Sequence, residues 1–361
     1  MCSTGLRAGR MDNSPGRLLL VRTGGLGDII MALPALRAIR RRFPDAHISV
    51  VASSGASWLV EREGVFDEVI VFGRSPERPG GTFSRSRLRE LAWLARLRSR
   101  RFDAVAVLQP ILGRAGALRL RAIVRASGCA QNFGRDTDWR GGFYTNAWPE
   151  SLDSDVHEVR RALAVAGLMG AEGEPDIGIT PPAEAVKEMD AFLESAGLAG
   201  CRPLIAVNPG SLRPSHRWPV ERFAAAANEL VRRKGGGIVI AGAPADEHLA
   251  QPLLRLLSTP SASAAGRTDI GQFAALLART DLLLTNDTGA MHMAAAVAAP
   301  VVAVFGSSDP RRVGPFAPPE RARVVTNHLC GLPNGFGCRD PRCLPNVSVD
   351  QVLAASLELL G

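Results

Sequence analysis

A chain of 361 residues is too long for one ordinary hydrophobic core and calls for two domains. Its composition is globular, at 46% hydrophobic and 22% charged, and only Lys187 and Lys234 among its 43 basic residues are lysines. The formal charge of +8 suits phosphate, anionic lipid or nucleic acid. An aromatic content of 5% and the lack of any zinc-finger or RNA-binding signature argue against nucleic acid.

Residues 1–16 have no apolar core and read as a loose tail, not a signal peptide. Six scattered cysteines fit a reducing cytoplasm. Residues 17–22 predict a first strand. Ala32, Leu36, Ile39 and Phe43, spaced 4, 3 and 4, predict a helix after it. Pro34 suggests a short first turn from Asp28 and the main helix from the proline. Between strand and helix, Gly24, Gly25 and Gly27 let another molecule approach the backbone. The loop lacks the third glycine of the dinucleotide fingerprint, which counts against NAD and a dinucleotide oxidoreductase. Asp28 sits at the strand edge where open α/β sheets hold ligands. Near a helix start its carboxylate stays ionised and can accept a proton; the simpler reading is an N-cap.

Further strands are predicted at 47–52, 68–72 and 103–108. Residues 84–101 form an arginine-rich amphipathic helix. It is read first as a covering helix, with contact to an anionic membrane surface as the alternative. Two Asp-x-Asp triplets, Asp136/Asp138 and Asp153/Asp155, lie in polar surroundings away from any apolar strand and make poor metal sites. A helix from His157 ends the first domain, and a Gly- and Pro-containing linker follows.

In the second half, residues 183–196 read as helix and 204–208 as a strand running into a sharp turn. Ser211, Arg213, His216 and Arg217 follow, able to neutralise a diphosphate, before a helix near Pro219. Gly237 opens another strand, after which Asp246 and Glu247 can accept from ribose hydroxyls. Residues 281–309 read as strand, turn, helix, strand. Residues 288–308 carry no formal charge, yet His292 and Pro300 interrupt them and rule out a membrane span. The turn Asp287-Thr288-Gly289 at a helix start is a phosphate-binding arrangement, with His292 one turn in; alternatively Asp287 only caps the helix.

The order GGLGDIIMALPAL, NPGS, RWP-x-E-R-F, AGAP-x-DE, TNDTG-x-x-H-x-A-A and FG-x-S-D-P resembles glycosyltransferase family 9, the ADP-heptose–lipopolysaccharide heptosyltransferases, over roughly residues 17–360. The resemblance implies an α/β chain of the GT-B fold, with two Rossmann-like domains facing across a central cleft. It implies no cofactor and no required metal. The acceptor domain would be 17–174, the linker 175–182 and the nucleotide-sugar domain 183–345. Residues 346–361 would form a helix returning to the first domain. Asp28 matches the general base of an inverting displacement. Thr288, Gly289 and Ser211 match the diphosphate site, Asp287 the sugar hydroxyls, and Asp246 or Glu247 the nucleoside. The implied partners are a nucleotide-sugar donor, a glycan or lipid-linked acceptor and an anionic membrane. The implied location is the cytoplasm or the inner face of its membrane. One departure is His216, where members carry lysine; Arg217, always charged, is the better substitute, with protonated His216 as the other. His328, Cys330, Cys338 and Cys343 supply zinc-type ligands, but at no standard spacing. Within the same fold the alternative is another nucleotide sugar or a non-lipopolysaccharide acceptor; outside catalysis, the competing reading is a non-catalytic nucleotide-binding protein.

Overall fold

The computed structural model describes residues 14–52, 58, 62–71, 83–327 and 343–361, with backbone alone for 83–89. The chain divides into two compact units, Met1–Asp176 and Ile177–Gly361.

The first unit runs β1 (Arg17–Val21), α1 (Leu26–Arg42), β2 (His47–Ala52), β3 (Glu68–Val71), α2 (Phe83–Ser99), β4 (Ala104–Val107), α3 (Gly113–Ser127), β5 (Gln131–Thr137), β6 (Asn146–Glu150) and α4 (Glu158–Leu168). Its sheet is parallel throughout, in the order β3-β2-β1-β4-β5-β6. The register pairs Leu18 with Ile48 on one side of β1 and with Ala104 on the other. Strands β1 and β4 are nearly all apolar because helices cover both faces of such a sheet.

The second unit repeats the plan. It contains α5 (Ala183–Ser195), β7 (Leu204–Asn208), α6 (Val220–Lys234), β8 (Gly237–Ile240), α7 (Glu247–Leu256), β9 (Ser261–Ser263), α8 (Ile270–Ala278), β10 (Leu282–Asn286), α9 (Gly289–Ala296), β11 (Val301–Phe305), α10 (Pro310–Val313), β12 (Ala322–Thr326) and α11 (Val349–Leu360). The sheet order β12-β11-β10-β7-β8-β9 is the first unit's order read from the other edge. Each sheet therefore has one point where the winding reverses, between β1 and β4 and between β7 and β10. Open α/β sheets bind ligands at the carboxyl ends of those strands.

Two expectations change. Helix α1 is continuous from Leu26 through Pro34, not broken into two pieces. A proline removes one backbone donor, and a helix buried along most of its length and packed on α4 tolerates that loss. Asp136 lies inside β5, a strand hidden by its polar composition. Its Oδ1 accepts from the Gly141 N–H at 2.6 Å, and Asp138 pairs with Arg140 at 2.9 Å, so both carboxylates serve the loop. Helix α11 buries Val352 and Leu353 in the second unit's core and packs on α6.

The arginine-rich helix α2 buries Leu97 and lays Trp93 and Leu94 on the first core, with Leu91 exposed. That is the covering-helix reading. Among the described residues no helix is long and apolar enough to cross a membrane. Within 288–308 the chain forms α9 and then β11.

Candidate active site

The first constellation is built at the end of β1. The chain leaves the sheet at Arg22, turns through Gly24 and Gly25, and enters α1 at Leu26. Asp28 is the third residue of that helix. Its Oδ2 accepts from the Gly25 N–H at 2.9 Å, a reach-back contact to the cap residue; Asp28 is not itself the N-cap. Its Oδ1 accepts from Arg22 Nη2 at 2.8 Å, and Arg22 Nε donates to the Asp28 carbonyl at 3.1 Å. A Cβ on Gly24 would lie 2.0 Å from Asp28 Oδ2, so the turn excludes any side chain there. Gly27 is buried in the helix. The Asp28 side chain is 40% exposed and its Arg22 partner only 5%. One end of the pair meets solvent and the other is held inside.

Behind Arg22 lies a buried charge network. Arg22 Nη1 is 3.6 Å from Glu158 Oε2. Glu158 is gripped by Arg135 at 2.7 and 2.9 Å, and Arg135 also pairs with Glu150. Arg161 also pairs with Glu150 and donates to the Val156 carbonyl at 2.6 Å. Burial alone would raise the Glu158 carboxyl; the Arg135 guanidinium, with Arg22 and Arg161, overcomes that and holds it well below the usual range. The three arginines and two glutamates come from the residue after β1 and from β5, β6 and α4; the sequence singled out Asp28 but none of these five.

The second constellation gathers around β7 and β10. Asn286, the last residue of β10, is the hub. Its side chain accepts from the Trp218 N–H at 2.8 Å and donates to the carbonyls of Pro209 and Gly210 at 2.9 and 3.2 Å. It thereby joins the loop after β7 to the loop before α6. Ser211 is buried in the first loop, and its carbonyl accepts from Arg217 Nε at 2.9 Å. Arg217 Nη1 lies 3.3 Å from His248 Nε2. Asp246 stands against the same loop: a Cβ on Gly210 would come within 2.3 Å of its carboxyl carbon. Glu247 is exposed at the start of α7, so of the two acids only Asp246 is packed on the loop.

Helix α9 is capped by Thr288, whose hydroxyl accepts from the Ala290 N–H at 3.3 Å, in place of the alternative cap Asp287. Thr285 supports it at 3.3 Å. Gly289 is the first helical residue, where backbone donors and the helix dipole favour an anion. His292 is buried inside the helix at 5% exposure. Arg213 is exposed beside the short turn Pro214–His216.

His216 is half-buried. Burial lowers its pKa below the usual histidine value, Asp287 opposes that shift and Arg213 reinforces it. Burial thus favours the neutral ring, which supports Arg217 over His216 as the substitute cation. We expect His216→Gln to leave ADP affinity within about threefold at pH 7.5 and Arg217→Ala to weaken it about tenfold or more. We also expect no histidine-type fall in affinity between pH 6.5 and 8.5. Calorimetry on the two variants checks this, and the opposite ranking would restore His216.

Of the residues considered for zinc, His328, Cys330 and Cys338 lie outside the described residues, and Cys343 is buried. Among the described residues no group of three or more His, Cys, Asp or Glu could hold a metal ion.

Two Rossmann-like sheets, each with polar groups collected at its winding reversal, define a glycosyltransferase of the GT-B class. The chain belongs to glycosyltransferase family 9 (heptosyltransferase), whose model matches residues 91–334. It is 29% identical over 326 residues to lipopolysaccharide heptosyltransferase 2 of Salmonella typhimurium, covering 86% of this chain and 87% of that protein. The crystal structure of a family 9 glycosyl transferase from Veillonella parvula superposes with a TM-score of 0.73 at 25% identity, covering 96% and 97% of the two chains. The ADP-heptose lps heptosyltransferase II of E. coli follows at 0.69 and 23%, covering 95% and 98%.

Proposed function

We propose that this enzyme transfers a heptose from ADP-heptose to a lipopolysaccharide-core acceptor with inversion. The observation that carries the chemistry is the Asp28 carboxylate, held on one side by Arg22 and Gly25 and open to solvent on the other. An acceptor hydroxyl gives its proton to Asp28 as its oxygen bonds to the anomeric carbon. The bond from that carbon to the diphosphate oxygen breaks, and ADP leaves with the electron pair. The α9 start at Thr288 and Gly289, with Ser211 and Arg217, takes up the charge that develops on the diphosphate. Asp287 meets the sugar hydroxyls and Asp246 the nucleoside. Donor and acceptor follow the names of the Salmonella and E. coli relatives. The same reading assigns the enzyme to the cytoplasm, where a lipid-linked acceptor brings it against an anionic membrane surface.

Calorimetric titration with ADP, UDP, GDP and NAD tests the donor assignment. ADP should bind at least about tenfold more tightly than UDP or GDP. Preference for either of those discards the heptose donor but keeps sugar transfer, and binding of NAD alone overturns the reading.

A further inference from the structure

A base that must become neutral poses a problem for the cation beside it. In the reaction proposed above Asp28 takes a proton and loses its negative charge. Arg22, only 5% exposed and 2.8 Å away, would then be a buried guanidinium without a counter-charge, an expensive state. The structure already holds a second carboxylate for it. Glu158 Oε2 lies 3.6 Å from Arg22 Nη1 on the side away from Asp28 and is 4% exposed. Arg135 donates to both oxygens of Glu158, and Glu150 pairs with Arg135 and Arg161. The Leu108 carbonyl accepts from both Arg22 Nη1, at 3.3 Å, and Arg135 Nη1, at 3.2 Å, so the two arginines share one backbone anchor.

We propose that Glu158 is a positioning residue for the transfer step, acting on Asp28 through Arg22. It retains Arg22 in place when Asp28 is protonated, so the base can gain and lose its proton without rearranging the turn. The Arg22 guanidinium in turn fixes the edge that Asp28 offers to the acceptor hydroxyl. This rests on the reading of Asp28 as the base. Arg135 and Arg161 each pair with a glutamate of the network, and the Arg22 contact is what ties Glu158 to the Asp28 carboxylate.

The test is a double-mutant cycle in the full-length enzyme with Arg22→Gln, Glu158→Gln and the pair. For each variant kcat, both KM values, ADP affinity and Tm are measured, with Asp28→Asn run alongside. The expected result is a fall in kcat of about 30-fold for each single variant, with KM and ADP affinity within about threefold. The double variant should be no slower than the slower single variant, because without Arg22 the charge of Glu158 has no route to Asp28. Multiplying losses, or a loss of ADP binding and kcat together in step with Tm, would overturn the proposal in favour of a structural role. If Glu158→Gln does not fold, Arg22→Lys decides between the two roles: recovery of most of the kcat lost in Arg22→Gln supports positioning through the cation, and no recovery opposes it. Should Asp28→Asn keep its transfer activity, the base reading itself fails. If Asp28→Asn is inactive and the cycle is additive, only the role of Glu158 fails.

Discussion

Asp28→Asn should bind ADP within about twofold of the parent and transfer sugar roughly a thousandfold more slowly, the range a general base commonly contributes. The substitution is nearly isosteric. The amide oxygen can still accept from the Gly25 N–H, so the entry to α1 survives, and what disappears is the proton acceptor and the ion pair with Arg22. The measurement is single-turnover transfer alongside calorimetry with ADP. Loss of ADP affinity would show that Asp28 is part of a nucleotide site instead. Retained transfer would leave the chain without its base, and unchanged kinetics in both arms would favour a purely local capping role. Asp28→Ala is less clean, because it also removes the contact that completes the first turn, about 1 kcal/mol of stability.

The second large effect concerns folding. Arg135→Met should destabilise the protein by about 3–5 kcal/mol, the usual consequence of removing one partner from a buried charge set. Arg135 and Glu150 are wholly buried, and the substitution leaves Glu150 and Glu158 with one cation fewer in a place water cannot reach. Against a typical total of about 5–15 kcal/mol that is a large share. Arg140→Ala is the control: its pair with Asp138 is about one-third exposed, and its removal should move stability by no more than about 0.5 kcal/mol. Urea unfolding followed by circular dichroism distinguishes them, and a cost for Arg135→Met below about 1 kcal/mol would refute this account. The network also carries a pH signature. The Glu158 carboxyl is depressed on folding, so its contribution is complete above the ordinary glutamate value of about 4.3 and is lost as the pH falls below it toward the folded value.

The same network explains what sequence reading missed. Strands β1, β2, β7 and β11 are apolar runs bounded by turns, and their limits were legible to within a residue. Strands β5 and β6, Gln131–Thr137 and Asn146–Glu150, were not picked out because their buried side chains include Arg135 and Glu150. Those groups can be buried only because they meet each other, and hydropathy along the chain cannot register a partner fifteen residues away. In the candidate site, Asp28, Ser211, Arg217 and the 287–289 turn stood out because glycine turns and strand ends mark them. Arg22 and Asn286 sat inside the same motifs, yet what they do depends on residues brought to them by the sheet. Asn286 is the clearest case, since it joins two loops from across a strand. The cap on α9 was open in the sequence, where Asp287 was the alternative considered: either Asp287 or Thr288 has the chemistry, and only the backbone path selects Thr288.

The seating of α11 has a consequence for synthesis. All six strands of the first sheet are in hand by Glu150, and α4 is complete by Leu168. The second core includes Val347, Val352 and Leu353, and the Trp218 indole N–H donates to the Val347 carbonyl at 3.0 Å. A ribosome adding about 5–20 residues per second therefore leaves an interval of roughly 10–40 s in which the first half can fold and the second still exposes the apolar surface that α11 will cover. Nascent-chain capture by chaperones should concentrate in that interval, on the half that carries the candidate nucleotide-sugar site.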